Sequence, residues 1–319
     1  MRSNLATITI TFVLIAISAV SALAQTVPLP STEEILDRAG KQSAAYTEAF
    51  KNLLAIETKT FDIFKKDGEP KKHRTVVSNF LVYPLSKTAN QVVEFRNVLS
   101  VDGKSVGDAD KRAQNLFEKV AGSESSENEI TKLREESTRH DLEIAISGMT
   151  LFEGLALNTN LRPSFEFSVK PVEKVNGRSV YIVTYRQTKD SPYITVNSNQ
   201  KRSAGEPGID YEIDVDKAVS LNARLRGTLA IDAETFQLWS EIRELTIQLA
   251  GNVTPITVIE DRFEFQTSDF GILTPKLISH TQYRATIKEN RAIKEAHISF
   301  EYGNFSRPGV EVKSSEVKH

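Results

Sequence analysis

From residue 163 onward the sequence is a succession of strand-length apolar segments separated by turn signals. Most of these segments alternate apolar and polar residues, which is the pattern of a β-strand with one covered face. The dipeptide Asn176-Gly177 favours a two-residue hairpin between two of them. We count some ten or eleven predicted strands in the whole chain, so one large antiparallel sheet is the expected architecture.

Helical segments add to this sheet and make the predicted class α+β. Ser31–Glu34 has the spacing of a capping box and opens an amphipathic helix. A helical insertion is predicted at about 108–148. Its first helix is expected to be capped by Asp108. Its second is expected to begin at the capping box Ser126–Glu129 and to reach Ser147.

One segment, SVYIVTY (179–185), is apolar on both of its sides. Tyr181, Val183 and Tyr185 share one side, and Val180 and Ile182 share the other. A strand of this kind lies between two apolar layers. The sequence therefore predicts a strongly curved antiparallel sheet, an unclosed β-barrel, with helices packed on or across its concave side.

Aromatic residues recur two positions apart on several predicted strands, so the members of each pair project to one face. One interpretation is ordinary core packing. The other is an apolar lumen that accepts a lipid or acyl chain, since such ligands need a concave, mostly apolar site. The candidate lining residues are Phe165, Phe167, Tyr181, Tyr185, Tyr211, Ile213, Trp239, Phe263 and Phe265.

The N-terminus has the pattern of a secretory signal peptide. Arg2 precedes an apolar run at 8–20, and Ala22-Leu23-Ala24 is an A-x-A cleavage site. The run is shorter than the roughly 20 residues that span a bilayer, although an uncleaved anchor is the alternative. We therefore expect a periplasmic or secreted protein that is not integral to the membrane after cleavage. The predicted divisions are a signal peptide at 1–24, one domain at 25–310 and a frayed tail at 311–319.

Composition excludes several classes of protein. The chain has no Cys, which excludes disulfides, thiolate chemistry and lipidation at an N-terminal Cys. Its formal net charge is −2, so no basic excess indicates a nucleic-acid partner. The nucleophile elbow, the phosphate-binding loops and the HExxH metal motif are missing from the sequence. We expect a protein that is not an enzyme and that has no cofactor or metal.

Isolated polar residues on the strands are interpreted as solvated. His280 and His297 fall on the polar phase of their strands, and a lone His is seldom a ligand without partners. Glu241 and Arg243 are expected to form a charged rim around a half-buried Trp239. The enzyme alternative is a carboxylate-based hydrolase that uses Asp232, Glu241 or the acids of residues 210–216.

Those acids lie in GIDYEIDVDK (208–217), where Asp210, Glu212, Asp214 and Asp216 occupy every second position. A calcium loop beginning at Asp210 would need Gly at its sixth position and Glu at its twelfth, and it has neither. The alternation predicts a strand whose acids face water. A weak surface calcium site and catalysis remain as alternatives.

The C-terminal half resembles the outer-membrane lipoprotein carrier and sorting family (LolA/LolB-like), in a divergent form. The resemblance implies an unclosed β-barrel with helices as a lid and an apolar cavity for acyl chains. No residue here matches the cavity Arg of the carriers. The matching stretches are VEKVNGRSVYIVTYRQ (172–187), RGTLAIDAETFQLWSEIREL (226–245), FEFQTSDFGILTPKLI (263–278) and ISFEYGNF (298–305).

Two functions follow from these patterns. The first is the binding, and by extension the carriage, of a lipid or acylated protein in an apolar half-barrel cavity. The second is a non-enzymatic structural or interaction module of the cell envelope, with an envelope protein as partner and an interior filled by side chains. An apolar cavity beneath the helices of 108–148 would favour the first, and a packed interior would favour the second.

Overall fold

The computed structural model describes most of the region that follows the predicted signal peptide. One unit spans Thr32–His319, and the other, Met1–Ser31, enters the described residues only at 30 and 31. The signal peptide, Asp214, Asp216 and the tail 311–319 lie outside them, and the domain boundaries stay predictions. The described residues are 30–50, 53–85, 92–144, 149–151, 154–197, 209–213, 222–248, 254–286 and 291–307.

Helices and strands follow the predicted order, and the predicted α+β class is confirmed. Two short 3-10 helices precede the C-terminal strands. The elements are α1 (Thr32–Phe50), β1 (Leu54–Phe64), β2 (Pro70–Pro84), β3 (Val92–Val101), β4 (Lys104–Ser105), α2 (Ala109–Ala121), α3 (Ser126–Ser137), β5 (Phe165–Val169), β6 (Glu173–Val175), β7 (Arg178–Gln187), β8 (Ile194–Val196), β9 (Ile209–Tyr211), β10 (Asn222–Asp232), β11 (Leu238–Gln248), β12 (Ile256–Thr267), β13 (Leu273–Thr286) and β14 (Arg291–Ser306).

Twelve strands form one sheet that is not closed, as predicted. Their order is β4-β3-β2-β1-β14-β13-β12-β11-β10-β7-β5, with β6 pairing beside β7. The first long strand, β1, therefore lies between β2 and the last strand, β14. All pairings in this sheet are antiparallel.

Helix α1 covers one face of the sheet, which we call the inner face. Five of its residues, Ile35, Leu36, Ala39, Tyr46 and Phe50, belong to the main hydrophobic core. They recur at the three- and four-residue steps that place side chains on one side of a helix. The ring of Phe50 lies 5.8 Å from that of Phe80 on β2, measured between centroids.

Helices α2 and α3 pack instead on the opposite face of β2 and β3. Phe95 on β3 pairs with Leu81 on β2, one position away from the inner-facing Phe80, so both project outward. The ring of Phe117 on α2 stacks on Tyr83 at 5.4 Å and meets Phe95 at 5.2 Å. The chain thus covers β3 on both sides, with α1 and the main core on one and the α2–α3 pair on the other.

The second helix of the insertion, α3, is shorter than predicted, and its N-cap residue lies one position earlier than predicted. Ser125, not Ser126, caps α3 by accepting a hydrogen bond from the backbone N–H of Asn128. The helix ends at Ser137 rather than Ser147. By leaving the helical path there, the chain brings the Asp141 carboxylate to 2.6 Å from Lys59 Nζ on β1.

Asp108 occupies the predicted N-cap position of α2, but its side chain does not cap the helix. Asp108 precedes α2, yet its side chain makes no capping hydrogen bond and its φ is 57°. Asp tolerates this left-handed backbone better than most residues. The predicted hairpin turn at Asn176-Gly177 has φ values of 49° and 81°, as a tight turn between twisted strands requires.

Within the described part of the acidic stretch, residues 209–213, the strand covers Ile209–Tyr211. β9 (Ile209–Tyr211) pairs in parallel with β8 as a two-stranded sheet of its own. Asp210 and Glu212 are exposed, whereas Tyr211 and Ile213 are buried in the main core. This alternation agrees with the prediction that the acids face water while the apolar residues pack.

Candidate functional site

The residues predicted to line a cavity come together on the inner face, but they fill it. Tyr185 meets Phe165 edge-to-face at 5.4 Å, and Tyr46 of α1 meets Phe265 in the same way at 5.8 Å. Seven of the nine, Phe165, Tyr181, Tyr185, Tyr211, Ile213, Phe263 and Phe265, are buried in the main core, and Phe167 and Trp239 pack against it. Their role as a ligand-binding surface stays a prediction.

The space beneath α2 and α3 is also packed. Leu85, Phe95, Val120 and Leu133 form a second buried cluster there. Val120, Leu133 and Phe95 are fully inaccessible to solvent. By the criterion set from the sequence, a filled layer at this place favours the interaction module over an acyl cavity under these two helices.

A row of polar side chains crosses the inner face from strand to strand. Direct pairing places Tyr185 beside Gly227, Arg243 beside Gly227, Arg243 beside Asp261, and Asp261 beside His280. Directly opposed residues project to the same face of a sheet. The row therefore spans five strands within the core. In the sequence, these polar residues alternate with apolar ones, which is also the pattern of a strand with one solvated face.

Gly227 makes room for the centre of this row. A Cβ atom at this position would lie 2.3 Å from the Ile242 carbonyl oxygen and 2.5 Å from the Tyr185 hydroxyl. Only glycine therefore lets the Tyr185 ring lie across β10. The hydroxyl then donates a hydrogen bond to Glu241 Oε1 at 2.9 Å.

Glu241 and Arg243 form a buried ion pair, so the predicted charged rim around Trp239 is wrong. Arg243 Nε donates to Glu241 Oε1 at 3.0 Å and Nη2 donates to Oε2 at 2.8 Å. The backbone N–H of Gly154 adds a bond to Oε2 at 2.9 Å. Both side chains are fully buried, and the contacts from Gly154 and Tyr185 come from other parts of the chain, which no pattern within β11 could indicate. Trp239 instead stacks on the Arg178 guanidinium at 3.6 Å.

Burial opposes the charge of Arg243, but Glu241, together with the nearby acidic groups of Tyr211, Tyr185 and Asp261, outweighs it and raises the pKa of the guanidinium well above its usual value. Burial also raises the pKa of the Tyr185 hydroxyl, and the Glu241 charge adds to the effect. Arg243 is therefore a fixed cation and Tyr185 a neutral hydrogen-bond donor. Together with Glu241 they form a network that fixes the geometry of the inner face.

His280 is buried rather than solvated, which overturns its predicted placement. Its Nδ1 lies 2.7 Å from Asp261 Oδ1, and the imidazole is 10% exposed. Asp261 Oδ2 makes no hydrogen bond with any described residue. His297 is half-buried, with Nδ1 2.9 Å from the Thr281 hydroxyl, and burial lowers its pKa.

A second buried charge cluster lies on β1 and β3. Arg96 donates from Nε and Nη2 to the two Glu57 oxygens at 2.7 and 2.8 Å, and Nη2 lies 3.1 Å from Glu94. Burial opposes the Arg96 charge, but the two carboxylates raise its pKa well above the usual range. Glu94 and Arg96 alternate with Phe95 as the polar side of a solvated strand would, yet this side is covered: the backbone N–H of Leu151 donates to Glu94 Oε1 at 3.0 Å.

The pKa values of Lys59 and Asp141 shift in the directions that favour the neutral form of each group. Burial lowers the pKa of the Lys59 ammonium and raises that of the Asp141 carboxyl, and their mutual attraction offsets each shift only in part. This pair thus costs more to keep charged than the arginine pairs. Among the described residues, no group of three or more His, Asp or Glu side chains is placed to hold a metal ion.

Surface pockets formed by the described residues open beside this core. The first, about 200 Å³, lies between α1 and the starts of β11 and β13. The second, about 600 Å³, lies at the far end of β13, where β1 turns into β2. The third, about 430 Å³, is a groove on β5, β7 and β10 that is bordered by the ion pairs Arg186–Glu166 and Arg226–Glu244.

The described part of the chain contains no helix that is long and apolar enough to cross a membrane.

No protein-family model matches the chain, and no curated protein matches it. Two solved structures are similar over most of its length. A Vibrio parahaemolyticus domain named for outer-membrane lipoprotein sorting shares 10% identity at a TM-score of 0.37, with 88% of this chain and 96% of that one covered. A DUF1329 family protein from Desulfovibrio piger shares 10% identity at a TM-score of 0.31, with 89% and 97% covered. These are distant similarities.

Proposed function

We propose that the protein is an exported, non-enzymatic envelope protein that binds the acyl chain of a lipid or lipidated protein at the seam between α1 and the sheet. The observation that carries the proposal is the 200 Å³ pocket at this seam. Its walls are mostly apolar, and they belong to or adjoin the main core. The lining residues are Gln42, Ser43, Ala45, Tyr46, Ala49, Gln237, Leu238, Gly271, Ile272 and Leu273.

The size of the pocket sets how a chain would enter. Sites for drug-sized ligands have roughly 300–1,000 Å³, so this pocket accepts the end of an acyl chain rather than a whole lipid. Deeper entry requires α1 to move away from the sheet. Polar attachments of α1 include the Arg162 contacts to the Leu36 carbonyl and Asp37, and the Tyr46 hydroxyl bond to the Thr150 carbonyl at 3.1 Å.

Filling the pocket tests the proposal. Ala49 lines it, whereas Ala44 is exposed on the same helix and does not. We expect the melting temperature of the wild-type protein to rise with the concentration of a monoacylglycerol or a lysophosphatidylcholine, neither of which has a net charge, because a ligand that binds only the folded state stabilises it by mass action. Ala49→Trp should abolish the shift, and Ala44→Trp should preserve it.

The result is interpretable if both variants have wild-type circular dichroism and similar melting temperatures without ligand. No shift for any amphiphile in the wild-type protein would contradict acyl binding. An equal loss in both variants would contradict the location at the α1 seam.

The second candidate is an interaction module with a filled interior. The packing of the predicted lining residues and the layer beneath α2 and α3 favour it. Crosslinking in the native envelope should then recover one defined protein partner, and amphiphiles should leave the melting temperature unchanged. If an amphiphile raises the melting temperature and Ala49→Trp abolishes that increase, the result would instead support acyl binding at the seam.

A further inference from the structure

A second pocket, distinct from the α1 seam, lies at the opposite end of β13. We call it the hairpin-end pocket, since the β1–β2 turn and the ends of β13 and β14 enclose it. Its volume of about 600 Å³ is within the usual range for small-molecule sites. It is lined by Ile63, Phe64, Lys65, Lys66, Lys71, Glu143, Ile144, Gln282, Arg284 and Glu295.

Positive charge predominates in this pocket, since four cationic side chains face two carboxylates. Glu143 is already engaged, because Lys71 Nζ lies 3.0 Å and Lys72 Nζ 2.7 Å from its Oε1. These bonds lower the pKa of Glu143, so it stays ionised and holds both lysines. Glu295 is engaged in the same way by Arg284 and by Gln282 Nε2.

Two of the cations remain uncommitted. Within the described residues, the ammonium groups of Lys65 and Lys66 form no ion pair or hydrogen bond, and both side chains are exposed at the pocket. Lys294 adds a further cation 5.6 Å from the centroid of the Phe64 ring. Ammonium groups gathered beside a concave surface attract phosphate and carboxylate.

The floor of the pocket is apolar. Ile63 is 3% exposed and belongs to the main core, and Ile144 packs against the same core. Phe64 contributes a half-buried aromatic wall. A ligand that uses both the floor and the rim therefore needs an anionic group attached to an apolar portion.

We propose that the hairpin-end pocket binds an anionic amphiphile, with its phosphate or carboxylate at Lys65 and Lys66 and the start of its chain on Ile63, Phe64 and Ile144. The site is independent of the proposed acyl-binding seam. The same anionic group exists on a lipid and as free inorganic phosphate, and the two sources are distinguished by whether the apolar chain contributes to affinity.

Titration calorimetry on the purified protein below micelle concentration tests this proposal with three probes. These are dodecyl phosphate, the neutral dodecyl maltoside and inorganic phosphate. We expect dodecyl phosphate to bind at least tenfold more tightly than either of the others. Raising the salt concentration should weaken its binding, since exposed charges are screened.

Charge reversal locates the site. Lys65→Glu/Lys66→Glu should weaken dodecyl phosphate binding at least tenfold. Lys170→Glu/Lys174→Glu, which reverses two exposed lysines beside and on β6, should change it less than twofold. All of these titrations are made in the Ala49→Trp background, in which the seam is filled, so that failure here is separate from failure at the seam.

Three outcomes would overturn the proposal. They are equal affinity for the anionic and neutral dodecyl probes, equal affinity for dodecyl phosphate and inorganic phosphate, and equal weakening by the two double charge reversals. Circular dichroism of both double variants must match the wild type, and since all four lysines are exposed, their replacement leaves the core intact.

Discussion

At the residue scale, the buried Glu241–Arg243 pair makes each partner depend on the other. Removing one charge leaves the other uncompensated in the core, which costs about 3–5 kcal/mol. Removing both costs less than the sum of the single changes, because residues in contact do not act additively. The cost of the double change does not vanish, since Tyr185 and Gly154 lose their acceptor.

We therefore predict that Arg243→Met lowers the free energy of unfolding by about 3–5 kcal/mol. Glu241→Leu/Arg243→Met should be less destabilised than the summed single variants. The exposed pair Arg186–Glu166 provides the control, and Arg186→Met should cost about 1 kcal/mol or less. Urea unfolding measures all of these, and similar losses for Arg243→Met and Arg186→Met would contradict the prediction.

Sequence patterns predicted well which residues share a face of a strand. They predicted poorly whether that face is covered by other parts of the chain. Alternation separated Glu94 and Arg96 from Phe95 on β3, and the structure keeps these on opposite faces. It could not indicate that both faces are covered, because the covering residues come from distant parts of the chain. A solvated charge and a buried, paired charge have the same signature within one strand.

At the element scale, the β10–β11 connection depends on Asp232. Its Oδ1 accepts hydrogen bonds from the backbone N–H groups of Thr235 at 2.8 Å and Glu234 at 3.0 Å. Burial opposes the carboxylate charge, but these bonds and the Arg178 guanidinium outweigh it and lower the pKa of Asp232. These are the hydrogen bonds by which an Asp side chain stabilises a turn.

The sign of the pH effect follows from this lowered pKa. The folded state binds the proton less tightly than the unfolded state, so ionised Asp232 stabilises the fold fully above about pH 4. The contribution is lost as the pH falls through the folded-state pKa. We predict that Asp232→Asn lowers the free energy of unfolding by about 1 kcal/mol at pH 7, and that its difference from wild type shrinks at acid pH.

Urea unfolding between pH 7 and pH 3 measures this difference. Glu234→Gln is the control, because Glu234 is exposed in the same turn. A difference between wild type and Asp232→Asn that is as large at pH 3 as at pH 7 would contradict the assignment to the carboxylate charge.

Hairpins were the elements that the sequence predicted best, since turn chemistry is local. The predicted turn Asn176-Gly177 has the positive φ values that such turns require. The end of α3 was predicted ten residues too late. Its helical pattern continues past Ser137, and the tertiary contact between Asp141 and Lys59 competes with it.

At the scale of the whole molecule, the sequence predicted an open antiparallel sheet but not its order. Local turns join neighbours along the chain, whereas the pairing of β1 with β14 joins its two ends. The register of this pair places Phe61 opposite Ile298 and Lys59 opposite Phe300. Nothing in the sequence near either strand indicates this register. The placement of α1 and α2–α3 on different faces was equally out of reach, since each helix has an apolar side that fits either face.

The position of β1 and β14 within the sheet has a measurable effect. Both strands are hydrogen-bonded on two sides, whereas β5 lies at an edge. We predict that amide hydrogens of β1 and β14 exchange with solvent only through global unfolding, and that those of β5 exchange faster. Hydrogen exchange followed by mass spectrometry measures both, and exchange in β1 as fast as in β5 would contradict the prediction.

The pairing of β1 with β14 also determines when the protein can finish folding. A chain that emerges from its N-terminus presents β1 to β4 first, with one side of β1 still lacking its neighbour. That side stays open until β14 has emerged, and an unpaired strand edge readily joins another chain. A protein built in this way depends on being kept apart from other copies until its last strand arrives.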